Sequence, residues 1–170
     1  MTTLYLMRHG ETIDNARQVM QGQVQGELNE KGILQAEEAS LRMAGTVIDA
    51  IVASDLNRSI QTARIMARPH GLEVTTTPLL RERDWGDFTG CYIPDLKGQP
   101  WPPNVESLDL LLTRARAFLD FIRNRYNGQT VLAVGHGIVN KAIQAVHKCC
   151  RMQEVDRMAN AEIRLLSLKD

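Results

Sequence analysis

A chain of 170 residues, 44% of them hydrophobic, can close one globular core and is short for two. Its 20 Lys and Arg balance 20 Asp and Glu, so the net positive field that holds most nucleic-acid binders to phosphate backbones is missing and no nucleic-acid partner is expected. Cys91, Cys149 and Cys150 are odd in number and include an adjacent pair; they make a poor disulfide framework and read as reduced, cytoplasmic thiols.

The chain opens on an apolar run, Leu4 to Met7, of the kind buried on both faces of a parallel sheet. No basic leader precedes it and Arg8-His9-Gly10-Glu11 cuts it short, so the expectation is a soluble, unexported protein with no membrane partner. Glu30 to Met43 follows with helical periodicity, then a second buried strand, Ile48 to Ala53, and a second helix, Asp55 to Ala67. Leu72 to Thr76 reads as a β-branched strand, Ser107 to Tyr126 as a long helix, and Val131 to Val134 as another buried strand. Ile138 to Val146 closes the helical set, and the alternation in Ala161 to Leu168 suits a late edge strand. Ser54-Asp55 and Glu106-Ser107 offer side-chain oxygens as caps for the helices that follow them.

Between Trp85 and Asn104 three glycines and four prolines leave neither helix nor strand room to persist, which marks a loop long enough to serve as a lid. Elsewhere strand and helix alternate, which argues an α/β sandwich in a single domain, residues 1–170, with the lid-like loop at about 85–104.

Two of the buried runs lead directly into histidine and then glycine, at His9-Gly10 and His136-Gly137. Ligands of open α/β sheets bind beyond the carboxyl ends of the parallel strands, so two strands would aim these histidines at one crevice. Glycine there would let an anion approach the backbone, and the helix start that follows would add N–H dipoles, an arrangement suited to phosphate or carboxylate. A lone histidine at a strand end is more often packed than catalytic; two such sites make coincidence less attractive.

Leu6-Met7-Arg8-His9-Gly10-Glu11-Thr12 with Asn15 resembles the opening signature of the histidine phosphatases and cofactor-dependent phosphoglycerate mutases. The resemblance continues through Gly32 with Gln35-Ala36, Ser54-Asp55-Leu56-Asn57-Arg58-Ser59-Ile60-Gln61-Thr62-Ala63, Leu80-Arg81-Glu82 with Trp85-Gly86, and Gly135-His136-Gly137. It implies a phosphoglycerate mutase-like, three-layer α/β/α sandwich whose mostly parallel central sheet carries one antiparallel edge strand. It further implies His9 as nucleophile, Arg8, Arg58 and His136 as phosphate ligands, Asn15 as a further phosphate contact, and Glu82 as proton donor. The implied enzyme hydrolyses a small phosphorylated metabolite through a phosphohistidine, without cofactor or metal.

Each role has a physical demand. The nucleophile needs one ring nitrogen held as N–H so that the other keeps its lone pair. Planar guanidinium groups match the oxygens of a transferring phosphoryl group with paired hydrogen bonds. The leaving alkoxide needs a carboxylic acid, for which Asp84, Glu106 and Glu11 rival Glu82; only the resemblance ranks Glu82 first.

No metal-ligand spacing occurs around His70 or His147, and no serine sits in a nucleophile elbow. Mutase activity is the nearest alternative, disfavoured because only Lys97 is basic between Trp85 and Glu106. A non-catalytic phosphometabolite sensor on the same fold is a third reading. Asn29, where the family commonly has threonine, and Asn104-Val105-Glu106-Ser107, in place of a glycine-rich segment, bear on the substrate, and a homodimer stays open.

Overall fold

A computed structural model of the chain describes residues 1–169. Five strands, β1 (Thr2–Arg8), β2 (Ala50–Ser54), β3 (Val74–Thr77), β4 (Thr130–Gly135) and β5 (Ile163–Leu168), form one sheet in the order β3-β2-β4-β1-β5. All neighbours run parallel except β5, which lies antiparallel against β1 at the edge.

Although Leu4 to Met7 in β1 and Val131 to Val134 in β4 are unbroken apolar runs, their side chains alternate between two cores, as the two-residue period of a strand requires. Leu4, Leu6, Val131 and Ala133 pack with Leu111, Phe118, Leu119 and Ile143, which belong to α4 (Leu108–Arg125) and α5 (Gly137–Lys148). Met7, Leu132 and Val134 pack on the other face with Ala39, Ala63 and Met66, from α2 (Glu30–Met43) and α3 (Asn57–Ala67). Helix, sheet and helix thus form the three expected layers, and burial on both faces explains the unbroken apolar runs.

The register of the central pair places the site. Arg8 stands level with Gly135, so the next residues, His9 and His136, leave adjacent parallel strands side by side. The short helix α1 (Ile13–Ala16) follows, started by a capping box between Thr12 and Asn15.

Element boundaries differ from the sequence reading where a side chain or a turn has other work. The second helix starts at Asn57 rather than Asp55, and its N-cap, Leu56, gives no side-chain bond. Ser54 instead accepts the Leu56 N–H, while Asp55 holds Arg81 through two hydrogen bonds. Ser107 does cap α4, accepting from Leu110 at 3.2 Å, but Glu106 turns to Arg114. The strand expected from Leu72 begins at Val74, because Gly71 ends a 3-10 turn in the left-handed region and the chain must still descend to the sheet. The strand expected from Ala161 begins at Ile163: Ala161 has φ 60°, and its N–H reaches the carbonyls of Arg8 and His9.

The segment from Trp85 to Asn104 is more ordered than its glycines and prolines suggest. It forms 3-10 turns at Gly86–Phe88 and Ile93–Leu96. Backbone bonds from Met20 to Cys91, Gly90 to Met20 and Ile93 to Gln18 tie it to the loop after α1. Trp85 meets Trp101 edge-on at 5.4 Å, and the Arg83 guanidinium lies against both rings.

Candidate active site

His9 is 3% exposed at the end of β1. Its Nδ1 lies 2.6 Å from the Gly10 carbonyl, an acceptor only, so Nδ1 carries the hydrogen and Nε2 keeps the lone pair. Burial first, then the positive charge of Arg58 and Arg8, holds its pKa well below the ordinary histidine value; the Gly10 bond only partly opposes this. The ring is therefore neutral at physiological pH, with its basic nitrogen left for the cavity that His9 helps to line.

That cavity, about 180 Å³, is walled by Arg8, Asn15, Arg58 and Glu82, with Gln21, Trp85, Ile93 and Arg157 among the others. Arg58 is 1% exposed at the start of α3, and its two Nη groups donate to the carbonyls of Gly22, Val24 and Gln25. Its Nε–H has no partner. Arg8 repeats the pattern: Nη1 donates to the Met158 carbonyl at 2.8 Å, and Nε is buried and unpaired. Arg8 thus keeps the Nε and Nη2 edge that grips an oxyanion in paired fashion, while Arg58, whose Nη2 already donates to Gly22, keeps its Nε–H. Burial pushes the Arg58 pKa down to about 10, against the pull of Glu82 and Asp14, so the site holds more positive charge than it neutralises.

Glu82 faces His9 across the cavity and is fixed by three backbone N–H groups: Oε1 accepts from Arg83 and Val139, and Oε2 from Ile138 at 3.1 Å. Oε2, with one donor against two, keeps the freer lone pair for a proton. The rival carboxylates are engaged elsewhere. Glu11 accepts from Asn29 at the start of α2, Glu106 is paired with Arg114, and the Asp84 carboxylate accepts the Gly86 N–H; none lines this cavity.

Asn15 accepts the Thr12 N–H and the Asn160 amide through Oδ1, which leaves its own amide hydrogens for the cavity. His136 is fully buried behind His9, ring centroids 5.1 Å apart, and falls outside the cavity wall. Its Nε2 meets the hydroxyls of Ser54 at 2.8 Å and Ser59 at 3.2 Å, and its Nδ1 has no partner.

Two expectations are corrected. Of the amides in the first turn of α5, those of Ile138 and Val139 go to Glu82 and not to an anion. Nor does Gly10 open the backbone to a ligand. A Cβ at Gly10 would stand 2.4 Å from the Gly32 carbonyl, so that glycine permits close packing on α2. A Cβ at Gly137 would meet the Arg8 guanidinium at ordinary van der Waals distance, 3.5 Å, so packing there does not by itself demand glycine.

Sequence reasoning missed Gln21 and Arg157 in the wall, and Asn160, which donates to the His9 carbonyl and to Asn15. None of the three carries a local pattern. Among the described residues, no three His, Cys, Asp or Glu side chains are grouped to hold a metal ion, no disulfide forms, and no helix is long and apolar enough to cross a membrane.

Residues 4–170 match the profile of the Histidine phosphatase superfamily (branch 1). The chain is 36% identical over 152 residues to a probable phosphoglycerate mutase GpmB of Photorhabdus laumondii, covering 81% of this chain and 71% of that protein. Among solved structures, it is 27% identical to a mycobacterial glucosyl-3-phosphoglycerate phosphatase complexed with VO3, with TM-score 0.89 over 97% of this chain and 92% of that one. It is 26% identical to a phosphoserine phosphatase of Entamoeba histolytica in complex with 3-phosphoglyceric acid, with TM-score 0.85 over 97% and 90% of the two chains. With the same fold, and with the signature Arg8 and His9 at the end of β1, Arg58 at the start of α3 and His136 after β4, the chain belongs to branch 1 of the histidine phosphatase superfamily.

Proposed function

We propose that the protein is a metal-independent phosphomonoesterase that hydrolyses a small phosphorylated metabolite through a phosphohistidine on His9. The observation that carries this reading is a neutral, buried His9 with a free Nε2, beside two buried arginines whose Nε–H groups lack acceptors. A phosphoryl group supplies the missing acceptors and the missing negative charge together.

In the first step Nε2 of His9 attacks phosphorus, the bond to the ester oxygen breaks, and Glu82 gives that oxygen a proton. Arg8 and Arg58 hold the equatorial oxygens, where charge spreads in the transition state, and the Asn15 amide adds a neutral donor. Water then attacks the phosphorus of phosphohistidine, Glu82 takes the proton, and the P–N bond breaks to return His9. The first turn of α5 holds the Glu82 carboxyl in place for both transfers. The cavity, about 180 Å³, suits a phosphoryl group on a short carbon skeleton better than a nucleotide. We place the reaction in the cytoplasm, with the 85–104 segment as a lid that sets selectivity through Trp85 and Ile93.

The curated relatives favour a second reading, in which phosphohistidine passes its group to another hydroxyl of the substrate, as in a mutase. Hydrolysis is preferred because the lid brings only the apolar Trp85 and Ile93 to the cavity, while its one lysine, Lys97, is exposed and outside the wall. The test is phosphate release, with EDTA present, from p-nitrophenyl phosphate and a panel of metabolite phosphates by wild type and His9→Ala. EDTA-resistant release that vanishes in the variant is expected. Release that survives His9→Ala would reject the mechanism, and isomerisation of phosphoglycerates without release would favour the mutase.

A further inference from the structure

His136 is usually counted by its charge and position, but its hydrogen is the more informative quantity. The ring is sealed from solvent, so whichever nitrogen carries the hydrogen must be fixed by neighbours. Among the described residues, only two groups lie within hydrogen-bonding distance of the ring, the hydroxyls of Ser54 and Ser59, and both meet Nε2. Ser54 and Ser59 are themselves fully buried, and neither hydroxyl has another acceptor. The Ser54 oxygen already accepts the Leu56 N–H at 3.1 Å, which turns its own hydrogen outward from that bond.

The two tautomers can be compared by what each leaves unpaired. With hydrogen on Nε2, the ring donates to a serine oxygen, both hydroxyl hydrogens lose their only acceptor, and Nδ1 becomes a buried lone pair without a donor. With hydrogen on Nδ1, Nε2 accepts from Ser54, at most one hydroxyl hydrogen stays unpaired, and Nδ1–H waits for an acceptor. Each buried polar atom left unpaired disfavours the tautomer that strands it, so the second arrangement wins by at least one such group.

We infer that Ser54 is a positioning residue that locks His136 as the Nδ1–H tautomer and so leaves a neutral N–H, rather than a lone pair, on the unpartnered nitrogen of the ring. His9 reaches the same tautomer from the opposite side, through an acceptor on Nδ1 rather than a donor on Nε2. The two rings, 5.1 Å apart, thus offer one lone pair and one hydrogen. A nucleophile and an oxyanion donor require that difference.

The use of this N–H on a phosphoryl oxygen rests on the proposed hydrolysis; the tautomer itself does not. Long-range proton–nitrogen NMR of the uniformly 15N-labelled full chain tests the two separately, with its four histidines distinguished by single substitution. The expected spectrum of the wild type shows His136 protonated at Nδ1 and bare at Nε2, with Nδ1 shifting on addition of inorganic phosphate. Protonation at Nε2 would overturn the inference without any variant having to fold.

Ser54→Ala is expected to lose the Nδ1–H preference and about tenfold in kcat, the scale of one buried hydrogen bond, with KM changed far less. Ser54→Thr is expected to restore both tautomer and rate, which a merely structural defect would not do. An unchanged tautomer in Ser54→Ala would remove the serine from this role. Absence of turnover alongside an Nδ1–H His136 would defeat the phosphatase reading and leave the lock standing; turnover with an Nε2–H ring would do the reverse.

Discussion

Arg114 and Arg58 are both well-buried guanidinium groups, and the difference in how their hydrogens are used separates a structural arginine from a binding one. Arg114 has spent all five N–H groups: Nε and Nη2 grip the Glu106 carboxylate, and Nη1 and Nη2 bond the carbonyls of Leu79, Arg81 and Glu82. Its charge is neutralised and its geometry is closed, so it works as a clamp on the chain that carries Glu82. Arg58 meets only neutral carbonyls and keeps Nε–H unpaired at 1% exposure. A hydrogen-bonded carboxylate would have closed the site; Glu82 and Asp14 act on Arg58 only through space, which leaves an anion to be supplied from outside. Burial of a polar group therefore marks function only when the count of its partners is incomplete.

Exchanging the two arginines' roles is the largest test. Arg58→Lys keeps the charge but loses the planar edge, and should lower kcat/KM on the order of 10³-fold with little change in melting temperature. Arg114→Ala should instead act on the fold, costing roughly 3 kcal/mol as the Glu106 carboxylate loses its partner. Calorimetry would show this as a fall of about 9 °C in Tm for a chain of this size. If Arg58→Lys proved the destabilising variant and Arg114→Ala the inactive one, the distinction would collapse.

Glu82→Gln sharpens the comparison, since Arg114 holds the Glu82 backbone while the carboxyl acts alone. Turnover of an alkyl phosphate should fall about 10²-fold, and that of p-nitrophenyl phosphate far less, because its leaving group needs little protonation. Equal losses on both substrates would take Glu82 out of the acid role.

Burial, and after it the positive field of Arg58 and Arg8, also acts on stability through His9 and His136, both with folded pKa values well below 6.5. The unfolded chain takes up protons on these rings below about pH 6.5, where the folded chain does not, so stability present above that pH is lost as the pH falls. Urea titrations at pH 7.5 and pH 5.5 should show the lower midpoint at pH 5.5. His136→Asn should reduce that difference, and an unchanged difference would mean that other groups cause it. The smallest effect is expected for Asn160→Ala, which removes one donor from the His9 carbonyl and one from Asn15 while Ala161 and Thr12 keep theirs: about a threefold loss of kcat/KM, since neither contact touches the transferring group.

The layers of the fold were legible because apolar runs such as Leu4 to Met7 and Val131 to Val134 have no other use than burial on both faces. Their ends pointed to His9 and His136 for the same reason, and the register of β1 with β4 carried both to one place. Glu82 was legible only through resemblance, because a charged run such as Arg81-Glu82-Arg83-Asp84 has no period that tells the inward carboxylate from its neighbours. Ser54 was misread as a helix cap, since one hydroxyl in one local setting can serve a backbone amide or a distant ring. Asn160 lies 151 residues from the His9 carbonyl it holds, and contact at that range leaves no local trace.

Direct observation of the covalent intermediate is the measurement that bears hardest on this account. The enzyme would be mixed with a phosphomonoester, quenched in alkali within milliseconds, digested and analysed by mass spectrometry. A phosphoryl group on the peptide containing His9, stable in alkali and lost in acid, is the predicted result. Phosphate release at full rate with the adduct on another residue, or with no adduct at any quench time or under alkaline quench of slowed Glu82→Gln enzyme, would contradict it.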